Sequence, residues 1–425
     1  MKKLLFLSIF IWATSCGGSK KMTSYLITSK EDVVKMAEKI EVEKRYEDEI
    51  LQNELEKDCG SSHSYIPYDK DSVFFDTRII RLNFHIMDRT QKDQNFKEGT
   101  GEAERFIPNL VNNANRRLRK NKKMNLPAGN DTPQLHPRYQ YLIVGQEEGD
   151  DGIYYHYDDE LYYFLNHGRN KNNYKRDVIK KYSVNSEEVL NVFLIPHHPD
   201  SVASKTYKQS TAGIALGTDI KIGAEWANHD RSWKYATMLN HEIGHVMNLR
   251  HSWIRNDGCD DTPEHKRNWV PAEKFEDGKT TNNVMDYNAS QMAFSPCQIG
   301  RVQQVMSTKE TKQRLLVVPD WCDFNPTEIL VIDSEVVFKG AKDINKDIVI
   351  AKGGSLTINC RLSMSKSSKI VVKPGGELIL NGCYIHNDCG DEWLGIEVQK
   401  QKKEIGIVSY KGNVIIENVK DAKKL

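Results

Sequence analysis

The run His241-Glu242-Ile243-Gly244-His245-Val246-Met247-Asn248-Leu249-Arg250-His251 constrains this chain more than any other feature. On a helix, residues four apart share a face and differ by about 6 Å along the axis, so His241 and His245 can grip one ion. Neutral imidazole nitrogens are donors that zinc favours. Glu242 stands beside the first ligand, where its carboxylate reaches a metal-held water without ligating the metal, and can accept its proton. His251 joins the set only if the helix stops first. A continuous helix would carry it roughly 240° round the cylinder from His245, facing away. The backbone must therefore turn near Asn248. Asparagine is, after glycine, the residue that best tolerates the left-handed conformation such a turn needs. Thermolysin-type metal binding, with a carboxylate from a later helix in place of His251, fits this spacing less well.

A second feature is Asn283-Val284-Met285-Asp286-Tyr287, which follows a polar loop and puts Met285 34 residues beyond His251. A methionine in a tight turn beneath a three-histidine site is a Met-turn. Ser295 and Pro296 then open a helix as N-cap and first residue, continuing through Met306.

Taken together, the stretch from Ile79 to Met306 resembles the pappalysin-like metzincins. The resemblance is carried by the histidine run, Trp253, Cys259-Asp260-Asp261-Thr262-Pro263, Val284-Met285-Asp286-Tyr287 and Phe294-Ser295-Pro296-Cys297-Gln298. Asn248 stands where that family usually has glycine. The resemblance implies zinc held by His241, His245 and His251, endopeptidase activity with Glu242 as base, and a disulfide between Cys259 and Cys297. It also implies that Tyr287 stabilises the tetrahedral intermediate and that Met285 supports the site. Calcium is a second candidate cofactor. Asp257, Asp260 and Asp261 offer hard oxygen ligands, although their spacing matches no tight calcium loop.

The chain ahead of this domain reads differently. Lys2 and Lys3, the apolar run Leu4 to Trp12, and Ala13-Thr14-Ser15-Cys16 describe a secretory signal. Cys16 directly after small residues resembles a lipobox, in which it would carry lipid, with Ala13 where that motif usually has leucine. An ordinary signal with an incidental cysteine is the alternative. The expectation is an exported, bacterial outer-membrane or cell-surface lipoprotein that meets the membrane only through its lipid. Residues 22–58 carry apolar positions at near-helical steps, such as Val42, Tyr46 and Ile50, and predict exposed helices. Cys59-Gly60 suggests a cysteine switch, a thiolate occupying the open position on zinc, against a disulfide or a spare thiol. In an oxidising compartment the eight cysteines are disulfide candidates, and Cys360, Cys383 and Cys389 could supply a bridge near the C-terminus.

Beyond Asn325 the texture changes. Asp347-Ile348-Val349-Ile350 through Ile358 is echoed 22 residues later by Lys369-Ile370-Val371-Val372 through Leu380, with Gly353-Gly354 matching Gly375-Gly376. Short apolar strands at this period predict coils of a parallel β-solenoid, with a small β-sandwich as the alternative. A solenoid ending near Leu425 needs a cap over its last coil.

The expected fold is thus an α+β metzincin catalytic domain, a mixed twisted sheet plus the zinc helix, followed by an all-β, parallel β-solenoid domain. The expected divisions are a signal over 1–16, an N-terminal helical or pro-segment over 17–75, the zinc-protease domain over 76–322 and the solenoid over 326–425. A peptide substrate would add as a strand to an edge formed by Ala212 to Leu216. Net charge is +1, from 60 basic and 59 acidic residues, which gives no reason to expect nucleic acid as partner. The basic run Arg116, Arg117, Lys120, Lys122 and Lys123 reads as solvated helix surface. The competing function is a catalytically inactive, surface-displayed adhesion or structural lipoprotein with a metalloprotease-like domain. The catalytic Glu242 argues against it.

Overall fold

The computed structural model describes residues 22–40, 59–68, 73–205, 212–226, 231–254, 256–263, 281–288 and 291–420. The signal, Cys16 and residues 41–58 lie outside them. The N-terminal segment forms strand β1 (Met22–Ile27) and helix α1 (Lys30–Ile40).

A mixed sheet follows. Its strands are β2 (Arg78–Asp88), β3 (Tyr139–Ile143), β4 (Ile153–Tyr157), β5 (Leu190–Pro196), β6 (Ala212–Leu216) and β7 (Asp219–Ala224). The order is β3-β2-β5-β7-β6, with β4 also on β2; all pairs are parallel except β6 on β7. Period-2 alternation in β2 sends Ile80, Leu82, Phe84 and Ile86 into the larger core and Met87 into a second cluster with Phe193 and Ile195 on the other face. The sheet is therefore covered on both sides. Helix α2 (Glu102–Arg119) packs through Phe106, Ile107, Leu110, Val111, Ala114 and Leu118, a three-to-four-residue spacing. Short helices α3 (Asp177–Tyr182) and α4 (Pro199–Val202) flank β5 in sequence. Helix α5 (Ala236–Val246) carries the histidines, and α6 (Pro296–Ser307) starts with a capping box in which Ser295 Oγ accepts from Gln298 N–H and the Gln298 side chain accepts from Ser295 N–H. Helix α7 (Lys312–Leu315) leads out of the domain.

The C-terminal part is a solenoid of parallel coils. The first coil is β8 (Ile329–Ile332), β9 (Glu335–Phe338) and β10 (Lys342–Ile344). The second is β11 (Asp347–Ile350), β12 (Ser355–Ile358) and β13 (Arg361–Met364). The third is β14 (Ile370–Val372), β15 (Glu377–Asn381) and β16 (Tyr384–His386). The last is β17 (Ile396–Gln401), β18 (Glu404–Ile405), β19 (Ile407–Lys411) and β20 (Ile415–Ile416). The 22-residue echo is a stacking register: Ile348 lies beside Ile370, Ile350 beside Val372, Leu356 beside Leu378 and Ile358 beside Leu380. Parallel ladders in three sheets leave no place for a sandwich.

Two expectations need correction here. Residues 22–40 hold the expected helix only in part, since a strand precedes it and both pack on the solenoid. β1 pairs antiparallel with β17, from Met22 opposite Gln401 to Ile27 opposite Ile396, and Ile27, Val33 and Met36 enter the solenoid core. The last coil needed a cover for its open edge, and the N-terminal segment supplies it. The cysteines also pair otherwise than expected. Cys59 is bonded to Cys360 and Cys322 to Cys389, while Cys383 is free and buried. Cys59 therefore has no thiolate to offer a metal, and the switch reading fails.

A buried ionic cluster joins the two domains. Asp343 on β10 accepts from Arg78 at 2.9 Å and from Arg314 at 2.8 and 2.9 Å, and forms an ion pair with Arg361 at 2.8 Å. Burial alone would raise the Asp343 pKa, but Arg361, Arg314 and Arg78 overcome it and hold the carboxyl well below the usual range.

Candidate metal centre

Helix α5 breaks where the spacing requires it. Asn248 has φ of 65°, in the left-handed region, and Leu249 N–H bonds back to Gly244 O at 2.9 Å. The chain reverses there, and His251 faces its two predecessors. His245 Nε2 lies 3.1 Å from both His241 Nε2 and His251 Nε2. Metal–nitrogen bonds of about 2.0–2.1 Å in a tetrahedral site would put ligand nitrogens roughly 3.3 Å apart, so this donor set fits a zinc-sized ion. The other ring nitrogens of two ligands are engaged: His241 Nδ1–H donates to Val284 O at 2.7 Å and His245 Nδ1–H to Leu249 O at 2.9 Å. Those bonds fix the tautomer that leaves Nε2 free to ligate. Burial, and next the charge of His245, lower the His241 pKa to about 3; burial also lowers that of His245. Both imidazoles are thereby kept neutral, as ligands must be.

Glu242 is buried beneath β6. Burial raises its pKa to about 8, offset in part by a hydrogen bond from the Ala215 backbone. A Cβ on Gly213 would collide with Glu242 Oε1, which shows how closely the strand crosses the carboxyl group. On its other edge β6 has no partner strand among the described residues.

Met285 is fully buried beneath the helix, and a Cβ on Gly244 would strike its sulfur. The turn is fastened by Asn283, whose Oδ1 accepts from Met285 N–H at 2.7 Å and whose amide donates to Gln298 Oε1 at 2.8 Å. Ser252 N–H donates to Met285 O at 3.1 Å, tying the third ligand's loop to the same turn. Tyr287 stands at the rim, its ring centroid 5.1 Å from that of His251 and 6.0 Å from that of His241. Trp253 stacks on His251 at 4.0 Å and touches Tyr287 at 4.4 Å, closing one side.

Cys259 and Cys297 are bonded to each other. Asp261 caps the start of α6, accepting from Ser295 Oγ at 2.6 Å and Cys297 N–H at 2.9 Å; Asp257 accepts from Thr262 Oγ1 and Cys259 N–H. Their oxygens are thus occupied in holding a loop. Asp257, Asp260 and Asp261 do not converge as a metal-binding group among the described residues, so the calcium expectation gains nothing from them.

Gln291 is a site residue that sequence reasoning missed. Its amide donates to Asp286 O at 2.6 Å and Val284 O at 3.2 Å, beside the carbonyl that orients His241. No motif marks it. Gly244 had a legible signal, since a glycine inside a helix implies close approach by a neighbour.

Three imidazole nitrogens about one point, a buried carboxyl group and an open strand edge together define a candidate metal centre. No protein-family model matches the sequence, and no curated protein matches it. Among solved structures, the chain is similar to mirolysin in complex with a compound, at 17% identity and a TM-score of 0.40, over 57% of this chain and 96% of that one. It is similar also to mature mirolysin of Tannerella forsythia in complex with a cleaved peptide, at 17% identity and TM-score 0.40, over 56% and 95%. A promirolysin mutant of the same organism gives 16%, 0.40, and coverage of 57% and 84%.

Proposed function

We propose that this protein is a zinc-dependent endopeptidase of the pappalysin-like metzincin kind. The convergence of His241, His245 and His251 Nε2 at 3.1 Å separations, beside buried Glu242, carries the reading. Zinc, when bound, polarises a carbonyl and acidifies water. Glu242 takes the proton of the attacking water on its carboxylate and returns it to the leaving amine. A cation beside it would lower its raised pKa toward the working range. Tyr287 reaches over from the rim to donate a hydrogen bond from its hydroxyl to the developing oxyanion. The substrate backbone adds as a strand to the open edge of β6, directly above the Glu242 carboxyl group.

The deciding experiment measures cleavage of a denatured protein by wild type and Glu242→Ala, with zinc content assayed in both and with a chelator in parallel. Wild-type cleavage that chelation stops, and that Glu242→Ala lacks while retaining zinc, supports the proposal. Cleavage that is equal in both proteins does not come from this site, and that result, or no cleavage by either, favours an inactive surface lipoprotein. Export and lipid attachment at Cys16 belong to the same proposal. Incorporation of labelled palmitate that persists in Cys16→Ala would remove that part. Among the described residues no helix is long and apolar enough to cross a membrane.

A further inference from the structure

The basic run at the end of α2 is exposed, as expected, at Arg116, Lys120, Lys122 and Lys123, with Arg117 half-buried, and it also borders a groove. Arg116, Arg117, Lys120 and Lys122 line a groove of about 460 Å³ together with Trp233 and Met292, and Lys122 N–H donates to Met292 O at 3.0 Å. None of the four cations makes an ion pair or a side-chain hydrogen bond among the described residues. Burial, and next the charge of Arg116, lower the Arg117 pKa, so the free protein holds like charges together at a half-buried guanidinium. An anion in the groove relieves that repulsion. Trp233, 52% exposed, and Met292 add an apolar flank.

Two short stretches of chain connect the groove to the metal centre. Met292 follows Gln291, whose amide nitrogen lies 3.3 Å from Nδ1 of His241. Trp233 sits in the short 3-10 turn Ser232–Lys234 that leads into α5, eight residues ahead of His241. At a rise of 1.5–2.0 Å per residue, that is about 12–16 Å. An extended polypeptide advances about 3.3 Å per residue, so four or five residues span the gap.

We propose that this groove binds an acidic stretch of the polypeptide being cleaved, four or five residues from the scissile bond. The proposal rests on the endopeptidase reading of the metal centre. A nucleic acid fits less well. A duplex presents a charge about every 1.7 Å along its axis and needs a long basic track. Here four cations end against a tryptophan and a methionine, in a chain of net charge +1.

The test uses the zinc-loaded full chain and two fluorogenic peptides of common core, one flanked by Asp and Glu and the other by Asn and Gln. The acidic peptide should show a kcat/KM about tenfold higher at low salt, through KM, with the preference fading as salt rises. In Arg117→Glu/Lys120→Glu the preference should vanish or reverse. Lys120→Gln/Lys122→Gln, at two exposed positions, should reduce it in the same direction. Equal kcat/KM for the two peptides, or a preference that survives charge reversal, overturns the proposal. Anisotropy of each labelled peptide on Glu242→Gln provides a readout independent of cleavage. If no peptide is cut, the endopeptidase reading fails. Tighter binding of the acidic peptide, lost on charge reversal, would still uphold the groove, and equal binding would sink it. Stronger binding of a single-stranded oligonucleotide than of the acidic peptide would also overturn the proposal.

Discussion

Asn248 is the position at which backbone conformation alone decides whether three ligands meet. Its φ is 65° and its side chain is exposed, so substitution there changes the energy of the bend and little else. A left-handed residue with a Cβ costs roughly 1–2 kcal/mol, less for asparagine and more for a branched side chain. Asn248→Ala should therefore cost about 1 kcal/mol and Asn248→Val about 2 kcal/mol. Asn248→Gly should stay close to wild type, because relief of strain is offset by about 0.5–1 kcal/mol of added freedom in the unfolded chain.

That cost can appear in two places. If residues 248–251 relax in the metal-free protein, zinc must reimpose the bend, and 1.4 kcal/mol weakens binding about tenfold. If the fold holds the bend regardless, through Leu249 N–H to Gly244 O and Ser252 N–H to Met285 O, the cost falls on stability. A 2 kcal/mol loss in a domain of this size lowers Tm by about 4–8 °C. Competition against a fluorescent chelator gives the zinc Kd and calorimetry the Tm. The two losses together should come to about 2 kcal/mol for valine. A valine variant with wild-type Kd and wild-type Tm, or a glycine variant that loses zinc, would refute a left-handed bend at this residue.

Four further outcomes are expected. Metal-free Glu242→Gln should gain stability over wild type as pH rises from 4.5 to 8, by about 5 kcal/mol at most, since the raised carboxyl pKa penalises the folded state only once the group must ionise. Denaturant melts of both proteins at pH 5 and pH 8 check this, and a difference that stays constant would count against burial as the cause. Asp343→Asn leaves Arg78, Arg314 and Arg361 crowded without their carboxylate and should cost about 3–5 kcal/mol. In wild type the depressed Asp343 pKa gives stability that is present above about pH 4 and lost as pH falls further, so acid melts should show this loss in wild type and not in the variant. Cys59→Ala should release no premature activity and should instead cost about 2–5 kcal/mol by opening its bridge to Cys360; a peptide-cleavage assay of the unprocessed chain and a thermal melt separate the two effects. Gly213→Ala pushes against Glu242 Oε1 and should lower kcat by up to about 100-fold while zinc content holds, measured by metal analysis alongside peptide cleavage.

What could be read from the sequence follows from how local each cause is. The ligand run was legible because helical spacing and the tolerance of asparagine for positive φ are properties of eleven consecutive residues. The solenoid register was legible for the same reason: Ile348 and Ile370 stack because the coil length is written as a period. The capped start of α6 needed only Ser295, Pro296 and Gln298. Long-range closure was not legible. Nothing in Met22–Ile27 shows that it completes a sheet with Ile396–Gln401, since an open edge accepts any strand of suitable length. The partner of Cys59 lies 301 residues away, and connectivity does not follow from spacing. Gln291 escaped notice because its role depends on backbone carbonyls that only the folded Met-turn brings to it. The basic run at Arg116 was legible as exposed surface, but the groove that it shares with Trp233 and Met292 was not, because those residues are distant in sequence.

These long-range closures share a direction. The third sheet of the solenoid, which contains β10, β13 and β16, is the one that meets the mixed-sheet domain. Asp343 comes from β10, Arg361 from β13, and Asp388 follows β16; Arg314 follows α6 and bridges Asp343 to Asp388. Cys322–Cys389 and Cys59–Cys360 staple the same contact, and Tyr65 Oη accepts from Ala341 N–H beside it. A linker without these features would leave two domains free to reorient. Here each of the inner coils contributes a buried charge or a sulfur to the junction, so a shift of one coil against α6 would strand ions out of water. The solenoid is therefore fixed relative to the metal centre, and β1 adds the N-terminal segment to the same body in the intact chain.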